Sequence, residues 1–442
     1  MDYLIGNGVL ITRSNKTPFF EQGCVAVDGN IIAEVGVTAQ LKAKYSDVPF
    51  YDAAGGLIMP GLINTHGHIY SALARGMILQ DGKVSKNFTQ ILENLWWRLD
   101  RALHIPEIQS SAYTTLIDGV RNGVTTVFDH HASAGQVPGS LAAIADVAQQ
   151  VGVRASLCYE VSDRDGREIA DAGIRENADF IANAKAQNSD MLVAMFGLHA
   201  SFTLSDDTLA RCTDAAGDAG FHVHVAEGIG DLIDCQRKYS KRVVERLNDV
   251  GILKSNTIAV HCIHIDELEM DILKDTDCIV VHNPESNMGN AVGCADVLTM
   301  MQKGITVGLG TDGFTTDMFE SLKAANILHK HQQGDPSAAW AQVPQMLFEN
   351  NAAICGRFFQ RKIGVLEPGA LADIIVLDYM APTPITEQNL DSHILFGLMG
   401  KNVRTTIIDG RFVMKDREIV TVEEEKVYAK SRKVAQEFWK RV

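Results

Sequence analysis

The sequence lacks the features that would direct it to a membrane, a nucleic acid or an oxidising compartment. No apolar run reaches the roughly 20 residues a spanning helix needs. The opening stretch, MDYLIGNGVLITRSN, has neither the basic segment nor the long apolar core of a secretory signal. A cytoplasmic protein without a membrane partner is therefore expected. Positive charge is in deficit: 40 Lys and Arg against 55 Asp and Glu leave a net charge of −15. Such a surface repels phosphate backbones, so nucleic acid is not an expected partner. The eight cysteines contain no C-x-x-C pair, which fits reduced, buried thiols better than a disulfide frame.

What is present is a recurring alternation. Short apolar runs fall at 58–66, 123–129, 151–158, 191–198, 220–226, 256–262, 277–282 and 304–310. They are nearly continuous in their apolarity, as strands covered on both faces are. Helix-like segments lie between them. In FTQILENLWWRLDRAL the apolar positions, Trp96 among them, recur at helical spacing. That spacing predicts a core role for Trp96 and leaves Trp97 off the stripe, as a candidate pocket residue. Eight strands alternating with helices predict a (β/α)8 TIM-like barrel over 57–362. Residues 1–56 and 363–442 carry hairpin signals, with Asp-Gly at 28–29 and again at 409–410. They are expected to pair into a small β-sandwich domain ending in an amphipathic helix.

In such a barrel the functional groups sit where the strands end. Here several ends carry a coordinating or acid–base residue: His66 and His68, His199, His224 and Glu227, His261, His282, and Asp312. His66 and His68 are two apart, so on extended backbone both rings face one point. Three neutral imidazoles and one carboxylate suit a catalytic divalent ion such as Zn2+, with Fe2+ or Mn2+ compatible with the same donors. Such an ion makes water ionise near neutral pH.

The motifs P-G-x4-H-x-H at 60–68, H-x-x-E at 224–227, VHCIH at 260–264, TDG at 311–313 and G-x-L-E-P-G-x-x-A-D at 364–373 resemble the amidohydrolase superfamily, in its deaminase and chlorohydrolase branch. NLWWRLDRAL, FDHHAS and SNMGNAVG are similar to the narrower SsnA-type aminohydrolases. The resemblance implies His66, His68, His224 and Asp312 as metal ligands, Glu227 as proton shuttle, and His261 as the residue holding the attacking water. It gives Asp312 that water's proton, and implies an assembly of two or more copies. Two-metal relatives carry a lysine at the end of strand four, and MLVAMFGLHAS has none. One ion is expected.

The implied reaction is hydrolytic deamination of a neutral amino-substituted N-heterocycle; ring opening of a cyclic amide or dechlorination at the same site is the alternative. With no glycine-rich anion loop and no basic cluster near the mouth, the expected substrate is a nucleobase with a 2-amino-4-oxo edge, such as isocytosine, guanine or 8-oxoguanine. Trp97, His131, His199, His282 and Asn287 are the expected substrate contacts, with His131 rather than His130 facing the mouth. His222 reads as a core histidine, Glu160 and Asp163 as solvated loop charges, and Arg154 as needing a buried partner.

Overall fold

A computed structural model describes residues 1–79 and 81–442. The eight expected strands are Leu62–Gly67, Val124–His131, Arg154–Tyr159, Leu192–Ala200 (broken at Met195), Phe221–Val225, Ile258–His261, Ile279–His282 and Val307–Leu309. All neighbouring pairs are parallel. Single bridges, Gly67 to Asp312 and Val161 to Leu198, join the two arcs of strands at their seams. This is the (β/α)8 barrel architecture. The fourth strand breaks at Met195 because it changes partner there. Leu192–Ala194 pairs with the third strand, and Phe196–Ala200 with the fifth.

The first apolar run is not one strand. It divides at Gly61, where a side chain would collide with Thr125. Leu57–Pro60 lies antiparallel to Ile374–Leu377, in a nine-stranded sheet built from both ends of the chain. Leu62–Gly67 begins the barrel. In that sheet Asp409 and Gly410, with φ of 52° and 74°, form the two-residue turn between Val403–Ile408 and Arg411–Lys415. In the first hairpin the loop is Gly29-Asn30, one residue later than the Asp-Gly signal suggests. Arg154, the first residue of the third strand, is wholly buried and bonds Asp373 through Nε (3.2 Å) and Nη2 (2.9 Å). That ion pair ties the barrel floor to the nine-stranded sheet. The terminal helix Glu424–Phe438 packs on the barrel helix Ile105–Arg121 through buried Phe438 and the Tyr428–Asp118 hydrogen bond (2.8 Å).

The segment predicted as one helix over 88–103 contains a π turn at Leu92–Trp96. One widened turn rotates the residues beyond it about the helix axis. Leu92, Leu99 and Leu103 are buried and Trp96 packs against the core, as its spacing predicts; Leu92, Trp96 and Trp97 also line the cavity at the barrel mouth. None of the helices among the described residues is long and apolar enough to cross a membrane.

Candidate active site

The C-terminal ends of the barrel strands converge as a barrel requires. The rings of His66 and His68 lie 4.9 Å apart and nearly perpendicular. His224, from the fifth strand, lies 5.2 Å from each of them. Asp312 Oδ1, from the eighth, is 3.1 Å from His68 Nε2 and 3.8 Å from His66 Nε2. Supporting bonds fix each ring. The carbonyl of His130 accepts from His68 Nδ1 at 2.6 Å, and His66 Nδ1 meets His222 Nε2 at 2.9 Å. His222 is thus no passive core residue.

Beside this group lies an acid–base triangle. His261 Nε2 is 3.4 Å from Glu227 Oε2 and 3.7 Å from Asp312 Oδ2. Asn287 Oδ1 accepts from His261 Nδ1 at 2.8 Å, and Ser286 Oγ donates to Asp312 Oδ2. Asp231 holds the loop under Glu227 by accepting from the amides of Ala226 (3.0 Å) and Phe202 (2.9 Å). Four non-glycine residues adopt left-handed backbone here: Ala226, His261, Cys262 and Asp312 (φ 47°, 72°, 51° and 54°).

Burial sets the protonation states. It pushes His66 down to about 3, leaving that imidazole a neutral donor. Burial, reinforced by Asp312, raises Glu227 well above the usual carboxylate range. Asp312 goes the other way: burial opposes its ionisation, but the adjacent His66 and His68 rings hold it well below that range.

The residues fit a divalent ion. The Nε2 atoms of His66 and His261 are buried without any hydrogen-bond partner. The donor atoms of His66, His68 and Asp312, and those of His66, His224 and His261, cluster within 4.8 Å. Buried nitrogens left unpaired at one point are costly unless something binds there. The fourth strand contains no lysine and supplies His199 instead.

The group opens into a cavity of about 950 Å3. Trp97 and His199 line it. Three expected contacts do not. His131 turns outward, with Nε2 on Ser133 Oγ (2.9 Å) and its ring against Tyr70 and Tyr159. Strand alternation places His130 inward in its stead, stacked on His222 at 4.6 Å. His282 is drawn toward the helix Met318–Gln333, where its Nε2 meets His329 Nε2 at 3.1 Å. Asn287 is occupied by His261. Conversely Glu160, expected in solvent, is 4% exposed and lines the cavity with Trp96, Asp100 and Arg164. The available signal was parity: Glu160 follows Cys158, and Cys158 faces the barrel interior.

The profile of the amidohydrolase family matches residues 57–413. The chain belongs to the amidohydrolase family. It is accordingly a hydrolase acting on carbon–nitrogen bonds. Among curated amidohydrolases, the chain is 31% identical to the 5′-deoxyadenosine deaminase of Methanosarcina mazei, covering 100% of this chain and 99% of that one. It is 29% identical to the 5-methylthioadenosine/S-adenosylhomocysteine deaminase of Pelotomaculum thermopropionicum, over 98% of each. Among solved structures, an adenosine deaminase from Xanthomonas campestris with bound zinc superposes with a TM-score of 0.89 at 23% identity, covering 100% of this chain and 99% of that one.

Proposed function

We infer that this amidohydrolase removes an exocyclic amino group from a purine-like heterocycle and releases ammonia. The observation that carries the reading is the Glu227–His261–Asp312 triangle set against three buried imidazoles. It puts a protonated carboxyl, a histidine and a carboxylate around one point. His66, His68, His224 and Asp312 would hold the divalent ion, and three nitrogens with one oxygen favour zinc. When bound, the ion supplies Lewis acidity and lowers the pKa of water.

The chain's own groups do the rest. Glu227, kept protonated by burial, donates to the ring nitrogen beside the amino-bearing carbon. His261, fixed by Asn287, orients the attacking water through Nε2, and Asp312 accepts its proton. The water oxygen bonds to the carbon. Glu227, now a carboxylate, takes the proton of the newly formed hydroxyl and delivers it to the departing amine, and the proton held by Asp312 then restores Glu227. The carbon–nitrogen bond breaks, ammonia leaves, and a ring carbonyl remains.

For the substrate, the relatives are named for adenosine, 5′-deoxyadenosine and 5-methylthioadenosine/S-adenosylhomocysteine, and a cavity of about 950 Å3 offers more room than a bare base uses. We therefore read the substrate as a 6-aminopurine carrying a sugar-like substituent, ahead of the free 2-amino-4-oxo bases. The test is ammonia release by zinc-loaded enzyme from adenosine, 5′-deoxyadenosine, adenine, guanine and isocytosine. Nucleosides should outpace the bases in kcat/KM. Product formation without ammonia, as in ring opening or dechlorination, would overturn deamination.

A further inference from the structure

One wall of the cavity holds an acid that nothing among the described residues satisfies. Glu160 Oε1 is buried and has no hydrogen-bond partner. It lies 3.4 Å from His68 Nδ1 and 3.5 Å from His130 Nδ1, while Oε2 lies 3.9 Å from His199 Nε2. None of these nitrogens is free to answer it. His68 Nδ1 bonds the His130 carbonyl, and His130 Nδ1 faces His224 Nε2 at 3.4 Å. Thr203 Oγ1 gives its hydrogen to the Ala200 carbonyl at 3.0 Å, so His199 Nδ1 donates to Thr203 Oγ1 at 2.8 Å and Nε2 of the neutral ring has no proton to offer Glu160. The nearby cation is also engaged. Arg164 bonds Asp100 through Nη2 and approaches Asp165 through Nε at 3.3 Å. A buried carboxylate without donors costs several kcal/mol unless a ligand supplies them. The indole Nε1 of Trp97, on the same cavity wall, is likewise buried without a partner.

We propose that Glu160 is a specificity-determining residue that accepts hydrogen bonds from two neighbouring donors on the substrate. The two oxygens of a carboxylate match adjacent hydroxyls of a sugar or adjacent N–H groups on a ring edge. This rests on the deaminase reading for its substrate class, but its test does not depend on turnover.

The test is equilibrium dialysis of zinc-loaded Glu227→Gln enzyme, with and without Glu160→Gln. Two ligand pairs differ in the donors alone: adenosine against 2′,3′-dideoxyadenosine, and guanine against hypoxanthine. Loss of a charge-assisted pair should weaken the donor-rich member of one pair about 10- to 100-fold and leave its counterpart within about a factor of two. Which pair responds tells hydroxyls from ring N–H groups. Glu160→Asp, which keeps the charge and shortens the reach, should fall between. The ligand-free Glu160→Gln protein should melt at or above the parent's temperature, because no internal partner is lost. Equal weakening of both members of each pair overturns the proposal, as does failure of the parent to bind either donor-rich ligand. Loss of zinc on Glu160→Gln also overturns it, since Glu160 would then belong to the ion's cage. If the affinity split appears but Glu227-intact enzyme releases no ammonia, the deaminase reading alone falls.

Discussion

His66 Nδ1 and His222 Nε2 meet at 2.9 Å inside the barrel, on the side of His66 away from its unpaired Nε2. With Nε2 kept as a lone pair, Nδ1–H donates to His222, so this one bond fixes both the tautomer and the aim of the ring. Such outer partners typically change metal affinity 10- to 100-fold. His222→Phe should weaken zinc binding by about that much in competition with a chelator, while His222→Gln, which can still accept, should restore much of it.

Glu227 is held protonated by burial and by Asp312. General acid–base groups contribute about 10^2 to 10^4 in rate. Glu227→Gln should lower kcat by that factor with zinc content at the parent level. Near-normal turnover in this variant would remove Glu227 from the mechanism.

Arg154 and Asp373 are each buried, and their bidentate bond spans the barrel floor and the nine-stranded sheet. Removing one partner of a buried pair costs about 3–5 kcal/mol, because the other charge is stranded. Arg154→Met and Asp373→Asn should each lose stability on that scale in urea unfolding. The double variant should lose much less than the sum.

Glu285 reports on pH. Burial pushes its carboxyl up to about 7, against a single helping hydrogen bond from Ser321 Oγ (2.7 Å). A carboxyl whose folded pKa exceeds its unfolded value destabilises the fold only when ionised. That penalty is absent below the unfolded value near 4.5, grows as pH rises and levels off past 7. The melting temperature of Glu285→Gln should therefore match the parent near pH 4.5 and exceed it at about pH 8. A gap that stays constant across this range would locate the effect elsewhere.

Much of this architecture is legible in the sequence because it arises from local physics. Apolar runs mark barrel strands, and the chemistry sits where those runs stop. The misreadings arise where packing alters the count. The first apolar run divides at Gly61, where Thr125 leaves no space for a side chain, into a strand of the nine-stranded sheet and a strand of the barrel. The register of the first two barrel strands slips between Asn64 and Gly67, so parity counted from His66 and His68 does not carry across to His130 and His131. A π turn, which no apolar period announces, lets Trp96 reach the cavity with Trp97 while it still packs on the core as its spacing predicts. Glu160 reads as a loop charge because its strand ends one residue earlier, at Tyr159. His222 looks like core because it is core; only its distance to His66 gives it a task.

Ala226, His261, Cys262 and Asp312 hold backbone shapes that side-chain-bearing residues avoid, at about 1–3 kcal/mol apiece. Anyone seeking a hardier version of this enzyme will find Ala226→Gly among the attractive changes, since glycine relaxes there without protest. The relaxed loop would also let Glu227 wander. Screens that select on heat resistance alone will therefore enrich sluggish catalysts at this position, and tension in the chain should be regarded there as equipment rather than flaw.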